Sequence, residues 1–276
     1  MTSKPSLNAA RSALGAALSN GNVLTVLTGA GISTDSGIPA YRDEFGQWLA
    51  SQPIQHQEFI SDPLARQRYW ARSILGWPPV AAAEPNASHF ALAEMEQRGL
   101  IDCLATQNVD RLHQRAGHQQ TVDLHGRLDQ VVCLSCDRRT PRAEVQRVLE
   151  RQNPVFAQQP SLMKPDGDSD VSAHAVADFQ VPVCEACGGL LKPDVVFFGG
   201  SVSRDVIEHV KQSIDSTSGL LVVGSSLQVF SGYRFCKYVI DAGKPLYIIN
   251  RGETRADHLA TEKISMGVAE CLTQLL

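Results

Sequence analysis

Four short apolar runs, at residues 23–28 (VLTVLT), 101–106 (IDCLAT), 219–224 (GLLVVG) and 245–250 (PLYIIN), constrain this fold more than any other feature. Each has the length and character of a strand. The segments between them, such as 86–98 and 203–215, repeat their apolar residues at helical spacing. Strands alternating with helices read as an α/β chain with an open, doubly wound, mostly parallel sheet and helices on both faces. Two regions break the alternation. Residues 45–85, rich in aromatics, Gln and Arg and punctuated by Pro53, Pro63, Pro78 and Pro79, read as a small helical insert. Residues 128–192 carry four cysteines, few long apolar runs and a Pro-, Gln- and Asp-rich middle. The expected organisation is a sheet domain made of 1–127 and 193–276, with the insert at 45–85, and a separate module at 128–192.

The chain has 276 residues, 43% of them hydrophobic, enough for one sizeable core with a smaller attached module. Its formal charge is −4 and its Lys and Arg are scattered, so a phosphate backbone finds no basic footprint and no nucleic-acid partner is expected. No apolar stretch approaches the roughly 20 residues of a membrane-spanning helix, and no membrane partner is expected. The first residues lack a signal-peptide arrangement; Leu7, Ala10, Leu14, Ala17 and Leu18 instead mark an amphipathic first helix ended by Asn20-Gly21. A cytoplasmic monomer is expected, with an organelle matrix as the alternative location.

Cys133-Leu-Ser-Cys136 and Cys184-Glu-Ala-Cys187 are two C-x-x-C knuckles, each able to turn two thiolates onto one ion. Together they supply the four soft ligands of a tetrahedral structural zinc. Disulfides are the rival reading, disfavoured in a cytoplasm. Four thiolates close the coordination shell, so such a zinc holds structure and leaves no position for substrate. The remaining cysteines, Cys103, Cys236 and Cys271, sit in apolar contexts and read as buried small hydrophobes.

In an open sheet, ligands bind beyond the carboxyl ends of the strands. Four polar stretches follow the strand runs here: Gly29 to Arg42, Gln107-Asn108-Val109-Asp110, Gly224-Ser225-Ser226 and Asn250-Arg251-Gly252. Each alone is an ordinary turn or cap, but four at one edge point to a crevice. The first begins like the dinucleotide fingerprint G-x-G-x-x-G at Gly29 and Gly31, yet Thr34 stands where the third glycine belongs. Backbone amides of Gly29–Ser33 and Gly224–Ser226 are candidates to hold a pyrophosphate, and Asn250 to meet a ribose or adenine. Among eight histidines, His89, His113 and His258 lie on helical patterns and read as structural. His125, between a short apolar strand and Gly126 and just before the cysteine module, stands at a junction where catalytic groups collect.

GAGIS and GIPAYR within 29–42, TQNVDRLH at 106–113, LHG at 124–126, the paired C-x-x-C, KPDVVFFG at 192–199, GSSLQV at 224–229 and NRG at 250–252 resemble, in order, the motif set of the sirtuins. PIQHQEF at 53–59, RQRYWAR at 66–72, GWP at 76–78, PDGD at 165–168 and LQVFSGYR at 227–234 are similar to the class II branch, which includes a mitochondrial member.

The resemblance implies a Rossmann-like NAD-binding domain with a small zinc ribbon, and an NAD-dependent protein-lysine deacylase in which NAD is a consumed co-substrate. The cofactor set it implies is Gly29, Ala30, Gly31, Ser33, Thr34, Asp35, Ile38, Pro39, Tyr41, Arg42, Gln107, Asn108, Asp110, Gly224, Ser225, Ser226, Asn250, Arg251 and Val268. Within it Ala30, Ile38, Pro39, Tyr41 and Arg42 close over the cofactor, while Gln107, Asn108 and Asp110 line the nicotinamide pocket. Asp110 holds the carboxamide, and Asn108 positions a ribose hydroxyl and a water. His125 is the implied general base, and Val195, Val196, Phe197 and Phe198 wall the acyl-lysine tunnel. The strand these four begin is expected to pair with an extended substrate backbone. Protein mono-ADP-ribosyl transfer at the same site is the alternative activity. Two departures bear on peptide preference: Gly200 replaces a frequent acidic residue, and Ser231 a frequent proline. Tyr69 and Arg72, three residues apart on a helix face, resemble a pair that grips acidic acyl tails and suggest a preference for acyl groups other than acetyl.

Overall fold

The computed structural model describes residues 7–41, 53–158, 176 and 178–276, with the first helix's side chains described from residue 13. Nine helices and nine strands occur among the described residues. The helices are α1 (Leu7–Ser19), α2 (His56–Ser61), α3 (Pro63–Ala82), α4 (Ala87–Gln97), α5 (Leu112–Arg115), α6 (Arg142–Gln152), α7 (Arg204–Ser216), α8 (Phe230–Asp241) and α9 (Val268–Leu275). The strands are β1 (Leu24–Thr28), β2 (Ile101–Thr106), β3 (Thr121–Asp123), β4 (Gly126–Cys133), β5 (Arg139–Pro141), β6 (Leu191–Val195), β7 (Leu220–Val223), β8 (Leu246–Ile249) and β9 (Glu262–Ile264).

Six strands form a parallel sheet in the order β3-β2-β1-β7-β8-β9. Alternation along each strand feeds two cores. Val26, Leu104, Leu221, Val223 and Ile249 pack on one face with Leu14, Leu92 and Leu272 of α1, α4 and α9. Leu27, Ala105, Leu220, Val222 and Ile248 pack on the other with Val210 and Ile214 of α7 and Phe235 and Val239 of α8. The strand order reverses between β1 and β7, which places the turns after these two strands side by side. Such a switch point is where open α/β sheets bind ligands.

A second, antiparallel sheet has the order β5-β4-β6. Its apolar residues do not form a core of their own. Val131, Cys133, Val145, Leu149 and Leu191 join Phe59, Tyr69, Trp70 and Ile74 of α2 and α3 in one cluster, which also takes in Phe197. Buried Arg142 of α6 rivets the contact: its guanidinium lies 5.6 Å from the Trp70 ring and 4.9 Å from that of Trp77, and donates to Ser73. Burial pushes its pKa down to about 10.

The insert is helical where described, with Asp62 accepting from the Leu64 amide to cap α3. One expectation needs correction. The strand near Val195 ends there instead of beginning there. Beyond it, the Val196 amide donates to His125 O at 2.7 Å and Phe198 O accepts from the His56 amide at 2.7 Å, so neighbouring loops claim the backbone.

Candidate active site

A cavity of about 360 Å³ lies over the switch point, against the second sheet. Of the residues expected to bind cofactor, Gly29, Ala30, Gly31, Thr34, Asp35, Tyr41, Gln107, Asn108, Gly224, Ser225, Ser226, Asn250, Arg251 and Val268 line it. So do His125, Tyr69, Val195, Val196, Phe197 and Phe198. Ser33, Ile38, Pro39, Asp110 and Arg72 are not among its lining residues. Arg42 lies outside the described residues. Ile38 is buried with Val80, Leu112 and Leu128, and Pro39 is exposed. Arg72 follows Tyr69 by three residues on α3, and only Tyr69 reaches the cavity.

The amides expected to cradle a pyrophosphate are mostly engaged within the protein. Those of Gly29, Gly31, Ile32 and Ser33 donate to the carbonyls of Val223, Gly224, Gly29 and Ala30, and the Gly224 amide donates to Ile249 O. The turns are glycine-rich instead because they touch: a Cβ on Gly31 would lie 2.8 Å from Gly224 O, and Gly224 adopts φ +61°. Their close approach shapes the cavity floor, where the backbone of both turns is bare of side chains at Gly29, Gly31 and Gly224.

Gln107, Asn108 and Asp110 extend from the end of β2 and are tied to the β1 turn. Gln107 Nε2 donates to Thr28 O at 3.1 Å and Ser225 Oγ at 2.8 Å. Asn108 Nδ2 donates to Gly29 O and Ser33 Oγ, each at 3.1 Å. Ser33 Oγ in turn donates to Asp110 Oδ2 at 2.8 Å, and the Leu112 amide donates to Asp110 Oδ1 at 3.0 Å. Burial raises the Asp110 pKa, and those two bonds oppose the rise. Asp110 lines a second cavity of about 330 Å³ with Trp77, Arg111 and Gln114; Leu128 lines both cavities.

His125 follows β3, where Gly126 adopts φ +78° and a Cβ would collide with Asp194 O. Its Nδ1 lies 2.9 Å from Gln107 O. A carbonyl only accepts, so Nδ1 carries the proton and Nε2 of the neutral ring is the basic nitrogen. Nε2 lies 2.7 Å from Ser231 Oγ. Burial pushes the His125 pKa below the usual 6.5, partly offset by the bond to Gln107. The ring is therefore uncharged at neutral pH and able to take a proton.

The four knuckle sulfurs lie within 4.8 Å of one another, with Cys133 and Cys187 3.5 Å apart and Cys136 and Cys184 3.8 Å apart. Zn–S bonds of about 2.3 Å place tetrahedral sulfurs about 3.8 Å apart. All seven cysteines are free thiols, so the disulfide reading fails and the cluster fits a structural zinc.

Sequence reasoning missed Ile54, Leu128, Gln228, Val229 and Met266, which also line the cavity. Gln228 and Val229 were within reach, because they directly continue the GSSL turn. Leu128 was not: an apolar residue on a strand gives no sign of which cavity it meets.

Residues 29–231 match the Sir2 family. The chain belongs to that family. The NAD-dependent protein deacetylase of Xanthomonas campestris pv. campestris (strain 8004) is 52% identical to it over 252 residues, 91% of this chain and 86% of that protein. NAD-dependent protein deacetylase 2 of Bradyrhizobium diazoefficiens is 49% identical over 253 residues, 92% and 93% of the two chains. A solved Sir2 structure with a p53 peptide and NAD+ matches with a TM-score of 0.75 at 33% identity, covering 96% of each chain. Sir2Tm bound to a propionylated peptide matches with a TM-score of 0.74 at 31% identity, covering 96% of this chain and 97% of that one.

Proposed function

We infer that this Sir2-family chain is an NAD-dependent protein deacetylase, converting acyl-lysine protein and NAD into free lysine, nicotinamide and an O-acyl-ADP-ribose. The observation that carries the reading is His125: a half-buried, neutral imidazole at the cavity wall whose basic nitrogen is defined by the Gln107 carbonyl. An amide oxygen is a weak nucleophile, so the first step depends on holding it against the ribose carbon as nicotinamide leaves. Asn108 and Asp110, joined through Ser33, would orient the ribose and the carboxamide. His125 Nε2 would then accept a proton from a ribose hydroxyl, freeing the 2′-oxygen to attack the amidate carbon. The cysteine cluster would hold its zinc away from these steps as a structural tie.

The motifs at 53–59, 66–72 and 227–234 support placing the chain in the class II branch. Tyr69, Ile54, Phe197 and Val195 supply a long apolar wall, which supports acyl groups larger than acetyl. The deacetylase names of the relatives weigh for deacylation over ADP-ribosyl transfer to protein.

The test is incubation with NAD and a panel of acetyl-, long-chain and dicarboxylic acyl-lysine peptides, with products weighed by mass spectrometry. O-acyl-ADP-ribose forming in step with deacylated peptide is the expected result. ADP-ribosylated protein without peptide deacylation would overturn it.

A further inference from the structure

The first turn of α8 is built against the general base. Ser231 is the second residue of that helix, and its hydroxyl lies 2.7 Å from His125 Nε2 across 106 positions of sequence. Because Nδ1 already donates to Gln107 O, Nε2 has a lone pair and no proton, so Ser231 Oγ–H is the donor. Gly232, the next residue, packs on the other member of the pair: a Cβ there would lie 2.6 Å from Gln107 Oε1. One helical turn therefore touches both His125 and the residue that fixes its tautomer. The positive end of a 12-residue helix beside the ring also disfavours imidazolium, in the same direction as burial.

We propose that Ser231 is a positioning residue for the general base, which donates to neutral Nε2, cedes that lone pair to a ribose hydroxyl, and accepts from Nε2–H once the proton has moved. A hydroxyl suits this role because it has one donor and two lone pairs and can serve the ring in both charge states. An alanine leaves the ring held only through Nδ1, free to rock about that contact. The inference rests on the deacylase reading, in which nicotinamide leaves before His125 acts. Its consequence is a split between the two halves of the reaction.

Ser231→Ala and Ser231→Thr are compared with the full-length wild-type protein in three measurements. One is formation of O-acyl-ADP-ribose, one is exchange of labelled nicotinamide into NAD in the presence of acyl peptide, and one is the ¹⁵N resonance of His125 Nε2 in the free protein. In Ser231→Ala, acyl-ADP-ribose formation should fall on the order of three- to tenfold, the worth of one orienting hydrogen bond. The KM for NAD and nicotinamide exchange should hold, and Ser231→Thr should restore turnover. The Nε2 resonance should move in Ser231→Ala and stay in Ser231→Thr. Wild-type turnover in Ser231→Ala, a parallel loss of exchange and deacylation, or no rescue by Thr overturns the proposal. An unmoved Nε2 resonance overturns it even if the wild-type protein forms no acyl-ADP-ribose, an outcome that would separately defeat the deacylase reading.

Discussion

The crevice and the cysteine cluster are both places where distant segments meet, yet they are built in opposite ways. The cluster is two local turns, Cys133–Cys136 and Cys184–Cys187, and each presents its pair of sulfurs whatever the rest of the chain does. The crevice has no local unit. Gly29, Gln107, His125, Gly224 and Asn250 follow five different strands of the large sheet, share its carboxyl edge, and meet around the point where the strand order reverses between β1 and β7. The first can be tied by one ion, and the second needs the whole parallel sheet. Damage should accordingly appear as lost turnover in one and lost stability in the other.

The largest effect expected is on chemistry. His125→Ala should lower deacylation by about 10²–10⁴-fold, the usual loss on removing a positioned base. Zinc content and circular dichroism should match the wild type. Deacylation at the wild-type rate would remove His125 from the mechanism, and lost zinc would erase the contrast between the two regions.

Cys133→Ser should do the reverse. One zinc per chain should be lost and stability should fall by about 4 kcal/mol or more, as is typical when a structural metal goes. Activity should decline only as the shared cluster of Cys133, Tyr69 and Phe197 loosens. Metal analysis and urea unfolding read both quantities. A protein with four intact thiols, no zinc and unchanged stability would contradict the assignment.

A smaller effect is expected from acid, and it sharpens the comparison on the crevice side. His89, His113 and His118 are buried behind β1, where burial lowers all three pKa values, that of His89 to about 4. His113 Nε2 lies 2.9 Å from Thr28 Oγ1, whose own proton goes to Thr106 Oγ1 at 2.8 Å. The Asn108 amide donates to the same Thr106 oxygen, so this histidine core underpins the crevice loop. The unfolded chain binds protons near pH 6.5, where the folded chain does not. Stability should therefore hold above about pH 7 and fall below it, by up to about 1.4 kcal/mol per pH unit for each histidine. Urea midpoints between pH 8 and pH 5, with zinc measured in parallel, test this. A flat profile while zinc is retained would refute it.

The smallest effect concerns the acyl pocket. Arg72→Met should leave the ratio of dicarboxylic to acetyl turnover unchanged; a roughly tenfold loss of that ratio with acetyl turnover spared would show that Arg72 grips an acidic acyl tail. Its place outside the cavity lining argues for equal losses on both, which peptide competition assays would reveal.

Much of this was legible from residue order alone. The four strand runs, the amphipathic helices between them and the zinc knuckles are local patterns, because periodicity and turn chemistry act over a few residues. That four polar loops share one edge also followed, since parallel strands all end on the same side. The strand order did not. It depends on how α1, α4 and α9 divide from α7 and α8 across the sheet, a packing choice spread over the whole core. With the order came the details that pattern reading had wrong or lacked. The amides of Gly29 and Gly31 are spent on carbonyls of Val223 and Gly224 because the β1 and β7 turns touch, and those of Ile32 and Ser33 on carbonyls within the β1 turn. Tyr69 reaches the cavity while Arg72 does not, because one helix turn separates wall from flank. Ser231 meets His125 because α8 packs its first turn against the end of β2, and no spacing in the chain announces a hydrogen bond between residues so far apart. Local physics determined the parts and the chemistry they could carry; the long-range packing of the sheet decided which parts would meet.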